Sequence, residues 1–110
     1  MSATPAVIVS ALDHSVLVCP EISAAEAVYA SLFGRAADWK ADADGVATVI
    51  FRVANTSLEL MAPSGDGPVA DRLRQIIEID GPGLKSLAFA TMDIGTAHHR
   101  LTRRGLKPDD

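Results

Sequence analysis

One histidine and one glutamate of this chain are set where a divalent metal could be held. His14 lies in Leu12-Asp13-His14-Ser15-Val16-Leu17-Val18, a short apolar run rich in β-branched types and closed by Pro20, which reads as a buried strand. Glu59 lies between Leu58 and Leu60, and strand alternation puts both leucines on one face and the carboxylate on the other. In a sheet that curls, both polar side chains face one cavity. An imidazole with a carboxylate suits Zn²⁺, Co²⁺, Ni²⁺, Mn²⁺ or Fe²⁺, although two ligands alone bind weakly. Taken singly, each has an ordinary reading: a strand histidine with a satisfied hydrogen bond, and a glutamate turned to solvent. His98 and His99 are adjacent on a helix, about 100° apart, so they cannot share an ion as an i, i+4 pair can. Cys19 has no basic neighbour in sequence to activate it and reads as a buried spectator. Met61 and Trp39 read as core.

The elements that must position His14 and Glu59 come in two copies. Residues 12–25, LDHSVLVCPEISAA, recur in weaker form at 84–97, LKSLAFATMDIGTA, an offset of 72 that pairs Leu12 with Leu84, Glu21 with Asp93 and Ile22 with Ile94. A repeated strand-then-helix unit implies a doubled architecture. The same offset pairs His14 with Ser86, a neutral hydroxyl and a poor metal ligand.

In the first copy the strand is followed by a helix. Ser23 and Glu26 have capping-box spacing, Ala25, Val28, Tyr29 and Leu32 form its apolar stripe, and Gly34 ends it. Residues 36–45 read as a short strand leading to a turn at Asp44-Gly45, and Val46 to Met61 as a hairpin turning at Ala54-Asn55-Thr56. Pro68 then opens a connecting helix with Val69, Leu73, Ile76 and Ile77 on one side. A strand from Leu84 to Ala90 and a helix from about Gly95 to Arg104, with Ile94, Ala97 and Leu101 as its stripe, begin the second copy. This predicts an α+β fold of paired βαβββ modules in one domain over 1–110: a first module at 11–63, a connection at 64–83 and the start of a second at 84–110. The hairpin has no second copy before Asp110, so a sheet edge is left open. That points to a fragment of a longer protein, or to a homo-oligomer or other second chain completing the sheet.

The 110 residues, 48% hydrophobic and 22% charged, suit one globular domain. A net charge of −4 argues against nucleic-acid and anionic-membrane partners. Arg100, Arg103, Arg104 and Lys107 read as a solvated helix face. A single cysteine, no run near the roughly 20 apolar residues of a membrane span and no export signal in MSATPAVIVSA lead to the expectation of a cytoplasmic protein.

LDHSVLV with a capped helix ending LFG, a hairpin closing in LELMAP, and GPGLKSLAFATMDI with a helix ending RGLKP together resemble the vicinal oxygen chelate superfamily over about residues 11–108. That superfamily takes in glyoxalases, methylmalonyl-CoA epimerases, ring-cleaving dioxygenases and bleomycin-resistance proteins. The order LELMAP, loop and helix, GLxxxAF is most similar to the methylmalonyl-CoA epimerase and glyoxalase-like branch. The resemblance implies a curved mixed sheet around a cavity, with His14 and Glu59 as metal ligands and Ser86 where a third ligand, usually histidine, is expected. An acidic fourth ligand is expected in a strand beyond Asp110. The implied function is a metal-dependent lyase or isomerase (epimerase) acting on a small substrate with vicinal oxygens through an enolate, with Glu59 as the catalytic candidate. The alternative is a metal-free protein that binds or sequesters a small molecule, as bleomycin-resistance proteins do. A dioxygenase needs two histidines and a carboxylate on iron, and Ser86 removes the second histidine.

Overall fold

The computed structural model describes residues 9–108. Most of the N-terminal stretch read for an export signal lies outside them. The element order is β1 (Ala11–Val18), α1 (Ile22–Phe33), β2 (Trp39–Ala43), β3 (Val46–Arg52), β4 (Ser57–Pro63), α2 (Pro68–Asp80), β5 (Gly83–Ala90) and α3 (Ile94–Arg103). The strands form one curved, open, mixed sheet in the order β2-β3-β4-β1-β5, parallel only between β1 and β4.

The register between β1 and β5 carries the duplication. His14 is opposite Ala88; moving these two by 72 in opposite directions gives Ser86 and Val16, which are themselves opposite one another. The same operation turns Leu12 opposite Phe89 into Leu84 opposite Leu17, and Ala11 opposite Ala90 into Gly83 opposite Val18. Ser15 opposite Leu87 maps onto itself. A twofold axis therefore passes between Ser15 and Leu87, and Leu12 and Leu84 occupy equivalent places. Even the two register shifts, at Leu12/His14 and Val16/Leu17, are related by it.

Local chemistry explains most element ends. The expected turn between β2 and β3 is at Asp44 (φ 56°) and Gly45 (φ 79°), both left-handed. A Cβ on Gly45 would strike the carbonyl oxygen of Asp66, and the Gly45 carbonyl accepts from the amides of Ser64 and Gly65 at 2.8 and 3.1 Å. Gly34, at φ 68°, ends α1 as read. The N-cap reading needs correction: Glu21, not Ser23, caps α1, its carboxylate accepting from the amides of Ser23 and Ala24 at 3.0 and 2.8 Å. Its counterpart Asp93 caps α3 through the Thr96 amide at 3.1 Å. Glutamate is an unusual cap because its longer side chain must fold back, and here it spans two amides in doing so.

The core has two parts, one on each face of the sheet. On one face Val18, Val46, Ala70 and Leu73 pack with Met61 and Ile77, seating α2. On the other, Val49, Phe51 and Leu60 pack with Leu17, Ile22, Ala25, Tyr29 and Phe33, seating α1. Three apolar stripes therefore differ from the sequence reading. Val28 and Leu32 of α1, Val69 of α2 and Ile94 of α3 are exposed, with Ile22, Phe33 and Ala70 turned inward instead. Trp39, read as core, is half exposed on the edge strand β2.

The second unit repeats only β1 and α1. Phe89 and Ile94 correspond to Leu17 and Ile22, which pack against Val49, Phe51 and Leu60 from β3 and β4. No described strand supplies those contacts for β5, so Phe89 and Ile94 stay 55% and 65% exposed. The outer edge of β5 has no described neighbour. The shape records this: the radius of gyration is 16.5 Å, against about 13 Å for a compact domain of this length.

Candidate functional site

β1 and β4 bring His14 and Glu59 together. In their parallel register Ser57 is opposite His14 and Glu59 is opposite Val16, so Glu59 lies one same-face step along β4 from the neighbour of His14. Their side chains meet: His14 Nε2 is 3.3 Å from Glu59 Oε2, the imidazole 30% and the carboxylate 22% exposed. Across β1 in the other direction, Ser86 is opposite Val16. Glu59 and Ser86 thus flank Val16 on one face of the sheet, with His14 one step along. Ser86 is exposed. It shares the face of His14 and Glu59, where the twofold places it.

Asp13 adds a contact that the spacing argument missed. Its Oδ2 is 2.8 Å from His14 Nδ1, and its carbonyl accepts the Thr56 hydroxyl at 3.1 Å. The signal was in the sequence as an acid directly before the histidine, but adjacent residues in a strand normally point to opposite faces. One imidazole is thus flanked by two carboxylates. Its Nδ1 is within hydrogen-bond distance of Asp13, and its Nε2 lies toward Glu59.

The geometry suits a cation. Two ligands about 2.1 Å from a common ion and 90–109° apart lie about 3.0–3.4 Å from each other, and 3.3 Å falls inside that range. The set is incomplete: among the described residues no three His, Cys, Asp or Glu side chains converge as a metal cage requires. His14 and Glu59 fit two ligand positions, and Ser86 stands on the same face with only a hydroxyl to offer.

The other candidates lie elsewhere. Cys19 directs its Sγ to the Met61 carbonyl at 3.5 Å, and burial, reinforced by the negative charge of Glu21, pushes its thiol up. That disfavours the thiolate a nucleophile needs. His99 is exposed and His98 half-buried on α3. The surface concavities, about 710 Å³ along the outer side of α2 and about 360 Å³ beside Arg100, Arg103 and Arg104, are shallow and away from His14 and Glu59. No helix among the described residues is long and apolar enough to cross a membrane.

A curved mixed sheet built from a duplicated strand–helix unit defines a class of fold, and comparison with known proteins identifies it. The Glyoxalase/Bleomycin resistance protein/Dioxygenase superfamily model matches residues 13–109, and the chain belongs to that superfamily. Among solved structures, methylmalonyl-CoA epimerase from Mycobacterium tuberculosis is similar at a TM-score of 0.74 and 23% identity, over 97% of this chain and 71% of that one. A Streptomyces coelicolor methylmalonyl-CoA epimerase variant in complex with 2-nitronate-propionyl-CoA is similar at 0.70 and 18%, over 90% and 74%. A further methylmalonyl-CoA epimerase matches at 0.70 and 22%, over 92% and 74%. At these identities the likeness is one of fold. No curated protein matches the chain.

Proposed function

We propose that this chain is a metal-dependent lyase or isomerase of the superfamily, of epimerase type, acting on a small substrate with neighbouring oxygens. The observation that carries the reading is the single imidazole between two carboxylates, with Nε2 and Oε2 one ligand–ligand distance apart. His14 through Nε2 and Glu59 through Oε2 would hold a divalent ion of the Zn²⁺, Co²⁺, Ni²⁺, Mn²⁺ or Fe²⁺ kind. Bound there, the ion would polarise substrate carbonyl oxygens and make an adjacent C–H more acidic. The second oxygen of Glu59, Oε1, takes up the substrate proton in this reading, and reprotonation of the planar enolate on its other face would give the epimer. Similar structures include a methylmalonyl-CoA epimerase in complex with methylmalonyl-CoA, which favours an acyl thioester as the substrate class.

The whole chain is read as one domain, 11–63 forming the first module, 64–83 the connection and 84–110 the start of the second. In this reading a second chain, by preference another copy of this one, lies along the outer edge of β5 and covers Phe89 and Ile94. The exposure of these two residues and the unpaired edge support it.

The test is metal stoichiometry of the purified protein with Co²⁺ and Zn²⁺, alongside His14→Ala and Glu59→Gln. Deuterium uptake at C2 of a 2-methylmalonyl thioester in D₂O reads the proton transfer. Metal bound by the wild type and lost in His14→Ala, together with deuterium uptake, is the expected result. No metal binding and no exchange, with binding of the intact thioester, would establish the metal-free binding protein instead, a reading that Ser86 in the third position favours.

A further inference from the structure

Asp13 has no business near His14 in a regular strand, since their side chains should leave opposite faces. A bulge brings them together. Between Leu12 opposite Phe89 and His14 opposite Ala88, Asp13 is the extra residue of β1; a bulge of this kind bends the strand and redirects side chains. The Thr56 hydroxyl, just ahead of β4, ties down the Asp13 carbonyl at 3.1 Å, so the strand that carries Glu59 also steadies the residue behind His14.

We propose that Asp13 is a positioning residue: its carboxylate holds His14 with the proton on Nδ1 and aims the bare Nε2 at the ion shared with Glu59. This rests on the metal-binding reading above. The Oδ2–Nδ1 contact of 2.8 Å is a hydrogen-bond distance, and a carboxylate behind a ligating imidazole fixes the ring and increases its basicity. The molecule contains its own control. The equivalent bulge in β5 carries Lys85 at the place of Asp13, beside Ser86 at the place of His14. The bulge therefore does not require an acid, and where the imidazole is absent the carboxylate is absent with it.

The experiment combines Co²⁺ titration by calorimetry with ¹⁵N NMR of the imidazole tautomer in the metal-free protein, for wild type, Asp13→Ala, Asp13→Asn and His14→Ala. The Asp13 side chain is 65% exposed, so its replacement leaves the core untouched. Asp13→Ala is expected to weaken Co²⁺ binding about 10–100-fold and to abolish the preference for Nδ1–H. Asp13→Asn, whose amide oxygen still accepts, should recover most of the tautomer preference and part of the affinity. Wild-type affinity in Asp13→Ala, with binding lost in His14→Ala, overturns the role of Asp13 while leaving the metal site standing. Co²⁺ binding that is absent, or indifferent to His14→Ala, overturns the metal reading itself. The tautomer then decides for Asp13: a shift away from Nδ1–H in Asp13→Ala supports its hold on His14, and an unchanged tautomer refutes it.

Discussion

Replacing Phe51 by alanine should remove the centre of the better-packed half of the molecule. Phe51 is 0% exposed, its ring centroid 5.4 Å from that of Phe33, with Val49 and Leu60 around it. A phenylalanine that buries about 150–250 Å² loses about 4–6 kcal/mol of transfer free energy at about 25 cal/mol per Å². Measured Phe→Ala losses in cores run about 3–5 kcal/mol. Against a total stability of about 5–15 kcal/mol, that leaves the variant marginal. Phe89, the residue at the duplicated place of Leu17, is 55% exposed. Its alanine variant should cost less than about half as much, unless a second chain covers it. Urea unfolding followed by circular dichroism at two protein concentrations separates the cases. Phe51→Ala should cost about 3–5 kcal/mol at both concentrations; the cost of Phe89→Ala should grow with concentration if copies associate over β5. A loss below about 1 kcal/mol for Phe51→Ala would refute the core assignment. A Phe89→Ala loss equal to that of Phe51→Ala in dilute monomer would refute the exposed half-core.

Gly45→Ala must place a Cβ against the Asp66 carbonyl at positive φ, and should destabilise by more than about 1 kcal/mol; a Tm equal to that of the wild type would contradict the turn. Ser86→His puts an imidazole on the twofold-related place of His14 and should tighten Co²⁺ binding, read by calorimetry; unchanged affinity would mean that Ser86 does not share the site. Backbone amides hold the carboxyls of Glu21, Asp38 and Asp93 below their ordinary values, those of Ala24 and Ser23, of Arg52, and of Thr96 respectively being the leading cause. Depressed folded values mean stability that is complete at neutral pH, begins to fall near the ordinary carboxylate range of about 4, and is lost as pH drops further through the folded values. Glu21→Gln should therefore flatten the acid limb of stability against pH; an acid limb identical to that of the wild type would remove Glu21 from the account.

What the sequence determined by itself is what depends on neighbours a few residues away or on a repeat. The strand alternation that turns Glu59 away from Leu58 and Leu60, the helix end at Gly34, the turn at Asp44-Gly45, the order of the elements and the offset of 72 were all legible. The register of β1 on β5, which the structure shows, obeys the same offset, the two copies pairing about a twofold axis. Tertiary structure decided what lies across from each side chain. The cap of α1 is local all the same: Glu21 rather than Ser23 holds it, because its carboxylate reaches the amides of Ser23 and Ala24. Val28, Leu32 and Ile94 face outward although they are as apolar as Ile22, because β3 and β4 seat one stripe of α1 and one of α2, which leaves the far side of α1 bare and Ile94 without equivalent strands beside it. The contact between Asp13 and His14 exists because a bulge set by pairing with a strand more than 70 residues away turns two adjacent side chains toward each other. Periodicity reports which face a residue prefers; the register of distant strands decides what it meets there.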